Sequence, residues 1–593
     1  MTKIDTAESL KLLNGSSRAV SLRIRHRDFF LELAEMADEQ LRGPRQVEFF
    51  DLLEAEHDNM RAALEWSFSH GDSQEAVRLA IALVHMWLYR GHSEEGMYWL
   101  LKAIEAGQQV PAEMRARLHI STAWLARDLG QQEALRDHAE KGLTLAREAN
   151  DKPAIVRGLC VLSRSIWREQ GTEAIRPMVE EALAIAEEIG DKRQIGAVLM
   201  QMGTDQEGLG LGREPLERAL ALQREVGDRN FEGWVLGALT WMIEDVSLRE
   251  EYWNETLGIA LETKDEAMRA YAVEGLGWFH AFRGDGTKAR VLFEDAIQHF
   301  RVLGHNGLLC WMLGDAAGLA QMQGRFPESI AMLQEVLRLN KKRSGQGVWA
   351  HLDLAKALQS TGNHAAAIVA VEEAKGLANT LQAPKMQGDA LTTEAEVALA
   401  EGDLIGSRAA VTEAISLLRP LGKQRSLREA LAVSAALSKT EGDWDGALAV
   451  LEEMVELADE SYWQASIIGR RGDAHRRKGD LESAIADIRS AFDLSIKNDH
   501  LPGEMDSLWW VAGLKIAQGG SAVAATLFGA MEKLREAYEF APHRSQRLLY
   551  ETDLAALWDS ADGEVIDGAW AKGRAMSKEE AIELARVSLA DAP

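Results

Sequence analysis

Small and large apolar residues recur along this chain at fixed distances from a series of glycines. The series runs Gly91, Gly130, Gly171, Gly210, Gly284, Gly324, Gly362, Gly402, Gly442, Gly479 and Gly519. After Gly284 the steps are 40, 38, 40, 40, 37 and 40 residues, and the step from Gly210 to Gly284 is 74, or two repeats. The turn missing from that double step falls at Asp245-Val246-Ser247-Leu248, where the glycine has been lost. Seven residues before the glycine stand Ala123, Gly277, Ala317, Ala355, Ala395, Ala435 and Gly472. Small residues return five and twelve positions after it, as at Ala289, Ala367 and Ala447, then Gly142, Ala296 and Ala374. Position plus nine is large and apolar: Leu100, Phe293, Leu333, Val371, Val411, Leu451 and Ile488. Small residues at fixed points let helices approach closely while the large one fills the seam. A second set of turns lies midway, at Asn150, Gly190, Gly227, Lys264, Gly304 and Gly422. Each repeat therefore reads as helix, tight turn, helix, looser turn. Glycine closes the first helix in a left-handed conformation, and an Asp after it caps the next. Almost nothing alternates as a strand would, so the expected fold is an all-α solenoid.

The register of small residues resembles that of the tetratricopeptide repeat, here lengthened from the usual ~34 residues. That resemblance implies a right-handed superhelical array of about twelve long hairpins. We place a helical junction or cap at 1–70, the repeat array at 71–535 and a C-terminal helical cap at 536–593. The ends carry more specific motifs. The first is Arg25-His26-Arg27-Asp28-Phe29-Phe30-Leu31, followed by Leu41-Arg42-Gly43-Pro44 and by Leu53-Glu54-Ala55-Glu56-His57-Asp58-Asn59-Met60-Arg61. Near the other end stand Ala524-Ala525-Thr526-Leu527-Phe528-Gly529-Ala530 and Ala569-Trp570-Ala571-Lys572-Gly573. Together they resemble the sensor domain of large bacterial LuxR-type and NB-ARC-type signal-transduction ATPases. Two departures accompany the resemblance. No G-x-x-x-x-G-K-[ST] phosphate loop occurs, and the C-terminal helix-turn-helix of that family is missing from the sequence. Gly208-Leu209-Gly210-Leu211-Gly212-Arg213 lacks the third glycine of a dinucleotide fingerprint and falls on a repeat turn.

Composition narrows the function classes. The chain has 593 residues and a net charge of −27, which repels phosphate backbones and argues against nucleic-acid binding by this segment. Cys160 and Cys310 stand far apart with no metal-ligand spacing, so both are expected as buried free thiols. Neither a signal peptide nor a run of ~18 apolar residues is visible, and a cytoplasmic location is expected. No G-x-S-x-G, H-E-x-x-H or Cys2His2 pattern occurs. The His57-Asp58 pair fits a contact between helices better than an acid/base couple. His280, His351 and His475 fit core positions. The expectation is a non-enzymatic protein without metal or cofactor.

Binding is the better prospect. In tetratricopeptide arrays the first helix of each hairpin, helix A, lines a concave groove through positions about thirteen, ten, six and three residues before the glycine. Those positions hold Arg117, Trp124 and Arg127 in an early repeat, then Tyr271, Glu274 and Trp278, and then Trp311 and Trp349. Lys356, Gln359, Asp389 and Glu396 extend the row. Aromatic faces with interspersed charges suit a peptide or small ligand. Each tryptophan has two placements open to it, in the groove or in a seam between repeats; the 40- and 38-residue spacing of Tyr271, Trp311 and Trp349 argues for a shared surface. The resemblance implies the sensing domain of a transcriptional regulator, with a protein, peptide or small inducer in the groove and no membrane contact. Self-association is a further option. The alternative is a stand-alone protein–protein adaptor with no role in transcription.

Overall fold

The computed structural model describes residues 17–70, 73–170, 172–204, 212–243, 245–340, 345–421, 425–457, 462–539 and 547–590. Expectations for Met1–Ser16, for Gly171, Gly210 and Gly422, and for most of the Gly208–Arg213 stretch lie outside these residues. Among the described residues every regular element is helical. From Ala112 to Ala537 the chain is a run of eleven helical hairpins, opening with Ala112–Asp128 and Gln132–Glu148 and ending with Leu501–Ala517 and Ser521–Ala537. A twelfth precedes them, its first arm broken into Ser73–Ala82 and Val84–Tyr89 and its second formed by Ser93–Ala106. The fold is an all-α solenoid.

The turns form as the sequence predicts. Gly91, Gly130, Gly284, Gly324, Gly362, Gly402, Gly442, Gly479 and Gly519 all have φ between +67° and +96°. Most have open space where a Cβ would stand, so backbone conformation selects glycine there. The midway turns use the same left-handed residue, and several do so without glycine: Asn150, Lys264, Gln382, Asp499 and Glu539 have φ from 45° to 55°. Asp285, Asn363, Asp403 and Asp480 cap the helices that follow, accepting from Lys288, Ala366, Gly406 and Ser483 N–H groups. At the turn that lost its glycine, Asp245 accepts from the N–H groups of Ser247 and Leu248.

Packing explains the small-and-large register. A Cβ on Gly277 would lie 2.3 Å from the ring of Phe293, which has no exposed surface. These are positions minus seven and plus nine around Gly284. Gly472 meets Ile488 in the same way around Gly479, at 2.9 Å. Gly142, twelve beyond Gly130, accepts the Ile120 side chain and backbone against it. Wide seams take the largest side chains: Trp87, Trp253 and Trp510 are fully buried. Trp510 fits because residue 469 is glycine, where a Cβ would stand 1.8 Å from the indole.

The chain divides into two compact units, Met1–Met242 with Tyr252–Ala272, and Ile243–Glu251 with Val273–Pro593. In the first, the connection after helix Ser17–Gln40 docks on a turn far along the array. Gln46 Nε2 donates to Asp228 Oδ1 at 3.2 Å, and the Asn230 N–H donates to Gln46 Oε1 at 2.6 Å. Pro44 packs against Gly227, and Lys264 Nζ pairs with Asp51 at 2.8 Å. The unit's repeats thus curve until their beginning meets their end. In the second unit Arg283 pairs with Asp499 at 2.9 Å, Phe282 packs on His500, and Gly284 lies under Tyr538. That unit also closes its curve.

The C-terminal motifs anchor the end of the second unit. Helices Ser521–Ala537 and Gly563–Ala575 cross backbone to backbone. A Cβ on Gly529 would lie 2.2 Å from the Trp570 carbonyl, and one on Gly573 would lie 1.9 Å from that of Thr526. Behind them Arg476 and Arg477 share the buried carboxylates of Asp473 and Asp553 at 2.6–3.0 Å, and Trp509 Nε1 donates to Asp553 at 2.9 Å.

Candidate functional site

The predicted site residues stand on the first helices of their hairpins and divide between the two units. Arg117, Trp124, Arg127 and Tyr271 belong to the first unit. Glu274, Trp278, Trp311, Trp349, Lys356 and Gln359 belong to the second.

In the first unit Arg117 Nε donates to Asp151 at 2.8 Å, and Asp151 also accepts from the Ala154 N–H at the next helix start. The ring of Trp124 holds two guanidinium groups, Arg127 at 5.2 Å and Arg164 at 5.7 Å from its centroid. Tyr271 stacks on Trp234 at 5.5 Å, meets Trp253 edge-on at 5.3 Å, and its hydroxyl accepts from Trp241 Nε1 at 2.9 Å. Trp234 Nε1 in turn donates to Asp265 at 3.2 Å, and Asn230 donates to the same oxygen at 2.8 Å. Burial pushes the Asp265 carboxyl above the ordinary carboxylate range. Asp38 pairs with His85 at 2.8 Å; against the cost of burial, His85 and then Arg42 and Arg157 hold its carboxyl low.

The second unit sets tryptophans against carboxylates. Trp278 Nε1 donates to Asp315 Oδ1 at 3.0 Å, and the Trp311 indole offsets part of the rise that burial causes in the Glu274 pKa. Gly318 leaves room for the Trp278 ring, and Gly314 faces open space. Burial raises the pKa of both carboxyls; Asp315 adds to that of Glu274, and Asp353 to that of Asp315. Trp349 is 48% exposed with Lys385 Nζ 5.6 Å from its ring centre. Lys356 lies 3.9 Å from Asp353, and Gln359 is half-buried one turn further. Asp389 lies 3.9 Å from Lys385, and Glu396 is half-buried. The first helices of successive hairpins in the second unit thus carry aromatic rings, carboxylates and lysines.

No protein-family profile matches the chain. Relatives match it in part. Over 197 residues it is 31% identical to a "Putative HTH-type transcriptional regulator" of Mycobacterium tuberculosis, and equally to one of Mycobacterium bovis. The matched stretch is 32% of this chain and 22% of the length of those relatives. Among solved structures, yeast Tom70 is 13% identical with a TM-score of 0.41, covering 75% of this chain and 96% of that one. A tetratricopeptide repeat protein from Parabacteroides merdae is 15% identical with a TM-score of 0.31, covering 49% and 98%.

Other candidate groups have structural partners. Among the described residues, His57, His92 and Glu95 are the group spaced like metal ligands, with donor atoms within 4.8 Å of one another. Arg61 already grips both Glu95 oxygens, at 2.9 and 2.7 Å, and Trp99 donates to one of them at 3.1 Å. A cation there would face a guanidinium. His57 contacts Glu95 across helices at 3.4 Å, whereas Asp58 turns to Arg61 at 2.8 Å, so the pair is no acid/base couple. Cys160 and Cys310 are buried free thiols, their pKa pushed up to about 11 by burial. His280 is buried, while His351 and His475 are half-buried. No described helix is long and apolar enough to cross a membrane.

Sequence reasoning missed several residues that contact the predicted ones. Trp234 sits about thirteen residues before the turn that lost its glycine, so the row had no anchor there. Asp315 and Asp353 stand nine rather than ten residues before their glycines, although Glu274, Asp315 and Asp353 are spaced like the repeat. The electrostatic link between Arg42 and Arg157 was invisible because 115 residues separate them in the sequence.

Proposed function

We propose that this chain is a non-enzymatic tetratricopeptide-like scaffold that senses a ligand or protein on behalf of a transcriptional regulator. Its binding surface is the inner row of helix-A side chains, and residues 1–70 and 536–593 cap the array. One observation carries the reading: Trp311 and Trp349 stand 38 residues apart, at repeat spacing, Trp278 stands on the first helix of the hairpin before them, and each keeps part of its surface exposed beside acceptors or cations. Rings placed for packing alone would be covered, as Trp87 and Trp510 are. The partial likeness to HTH-type regulators supports the regulatory setting. Occupying the row would alter how successive repeats lean on one another and so bias a neighbouring module between two states.

The test uses the whole purified chain. A metabolite and peptide library is screened by thermal shift, and hits are measured again on the Trp311→Ala/Trp349→Ala variant. Binding should be lost while the helical circular-dichroism signal stays. Hydrolysis of ATP, or tight binding of duplex DNA at physiological salt, would contradict the proposal.

A further inference from the structure

Helix Ser17–Gln40 is apolar on two sides. One side buries Phe30, Leu31, Ala34 and Ala37 against helices His57–His70 and Ser73–Ala82. The other carries Leu22, Phe29 and Met36, which are 53%, 60% and 49% exposed. These three stand seven residues apart, and a step of seven returns an α-helix to nearly the same direction. Single exposed apolar side chains are ordinary on a protein surface; three large ones in line along one helix mark a contact surface.

Charged residues interleave with that line at three- and four-residue steps. Arg18 and Arg25 stand in its first half, Glu32 and Glu39 in its second, and all four are exposed. Among the described residues none of the four forms an ion pair. Other charges of the same helix, lying off the line, are paired: Arg27 with Asp28 at 2.6 Å, Glu35 with Arg78 at 2.7 Å, and Asp38 with His85 at 2.8 Å. The exposed line is also neutral, two cations against two anions, in a chain whose net charge is −27.

We infer that this line docks a second copy of the chain, with the two helices antiparallel across a twofold axis at Phe29. Antiparallel pairing sets Phe29 against itself and Leu22 against the partner's Met36. It also brings Arg25 beside the partner's Glu32 and Arg18 beside the partner's Glu39. Twofold symmetry makes each of these pairs occur twice. Parallel pairing would instead oppose arginine to arginine and glutamate to glutamate. The apolar residues supply the affinity, while the charges select the orientation and the partner. A partner of different sequence would have no reason to require cations in one half of the line and anions in the other. From Arg18 to Glu39 the seam is about 32 Å long. One helix face of this length lies at the small end of interface sizes, so association of roughly micromolar strength is expected. The inference goes beyond the sensing role and does not rest on it.

The experiment is sedimentation velocity on the whole chain, from about 1 to 100 μM at physiological salt. The parent should pass from monomer to dimer across that range. Phe29→Glu should remain monomeric, and its melting temperature should match the parent's because Phe29 is exposed. Arg25→Glu alone places glutamates opposite the partner's Glu32, and Glu32→Arg alone places arginines opposite the partner's Arg25. Each should weaken the dimer about tenfold or more. An equimolar mixture of those two variants should regain parental association, because both cross pairs are then opposite in sign. Ile405→Glu, at an exposed position of the second unit, should change nothing. A parent that stays monomeric at the highest concentration would overturn the inference. So would a dimer indifferent to Phe29→Glu, or a mixture that associates no better than its components. None of these results would bear on whether the Trp311 and Trp349 row of the second unit binds a ligand.

Discussion

In the first unit, the positions thirteen and six residues before a turn glycine hold Arg117 and Trp124; in the second they hold Trp349 and Lys356. One repeat frame thus carries an aromatic and a cation in exchanged places, and the surroundings diverge further. In the first unit Arg127 and Arg164 lie over the Trp124 ring, Arg117 pairs with Asp151, and Arg42 and Arg157 help to hold the Asp38 carboxyl low. Around Trp278 and Trp311 the second unit collects Glu274, Asp315 and Asp353, two of which burial and mutual repulsion keep above the ordinary carboxylate range. The backbone is indifferent to this choice, because small and large residues at other positions set the helix packing. A repeat therefore fixes shape with one set of positions and leaves another free to select chemistry.

The strongest way to break the comparison is to show that the units are not energetically separate. Asp553→Ala would leave Arg476 and Arg477 buried with half their charge partners, a change that costs about 3–5 kcal/mol. Gln46→Ala would strip hydrogen bonds from Asp228 and the Asn230 N–H, at about 1–3 kcal/mol for each buried group left unsatisfied. Hydrogen exchange read by mass spectrometry should report the first change in peptides of 462–590 and the second in peptides of 17–70 and 213–240. If either substitution loosens both sets equally, the two units act as one.

Charge gives the next largest effect, with opposite handling in the two units. Glu274 and Asp315 bind protons more tightly when folded than when unfolded. Stability from their protonated forms is full below the ordinary carboxylate range and is lost as pH rises from there through the raised folded values. The Glu274→Gln/Asp315→Asn variant should therefore melt higher than the parent at pH 8 and show a flatter decline between pH 5 and 8. In the first unit Arg157→Gln should also raise the melting temperature, most at low salt, because screening already softens the repulsion in the parent. A destabilised Arg157→Gln chain would mean that Arg157 is a net stabilising partner of Asp38 and Asp151.

Much of this was legible beforehand, and the failures are instructive. Turn glycines, Asp caps and the Gly277–Phe293 and Gly472–Ile488 contacts all follow from local rules at fixed spacing, so one sequence was enough. Trp234 was lost because the inner row was indexed by glycines, and the turn at Asp245 dispenses with one. Tyr271 matches Trp311 and Trp349 in spacing, yet its stacking partner is Trp234, and it belongs to the first unit. Nothing local predicts that Arg42 approaches Arg157. Their proximity depends on how successive repeats stack, which no single position encodes.

The smallest expected stability effect is the one that best separates shape from chemistry. Trp510 and Trp349 are the same side chain on the first helices of two hairpins in the second unit. Trp510 is buried over Gly469, so Trp510→Ala should open a cavity costing about 3–5 kcal/mol. Trp349 is 48% exposed, with Lys385 over its ring, so Trp349→Ala should cost no more than about 0.5–1 kcal/mol. Denaturant titration followed by circular dichroism measures both. A near-neutral Trp349→Ala that nevertheless loses ligand response would show that the indole serves the groove. A loss as large as that of Trp510→Ala would return Trp349 to the seams, and the inner row of the second unit would then rest on its carboxylates and lysines alone.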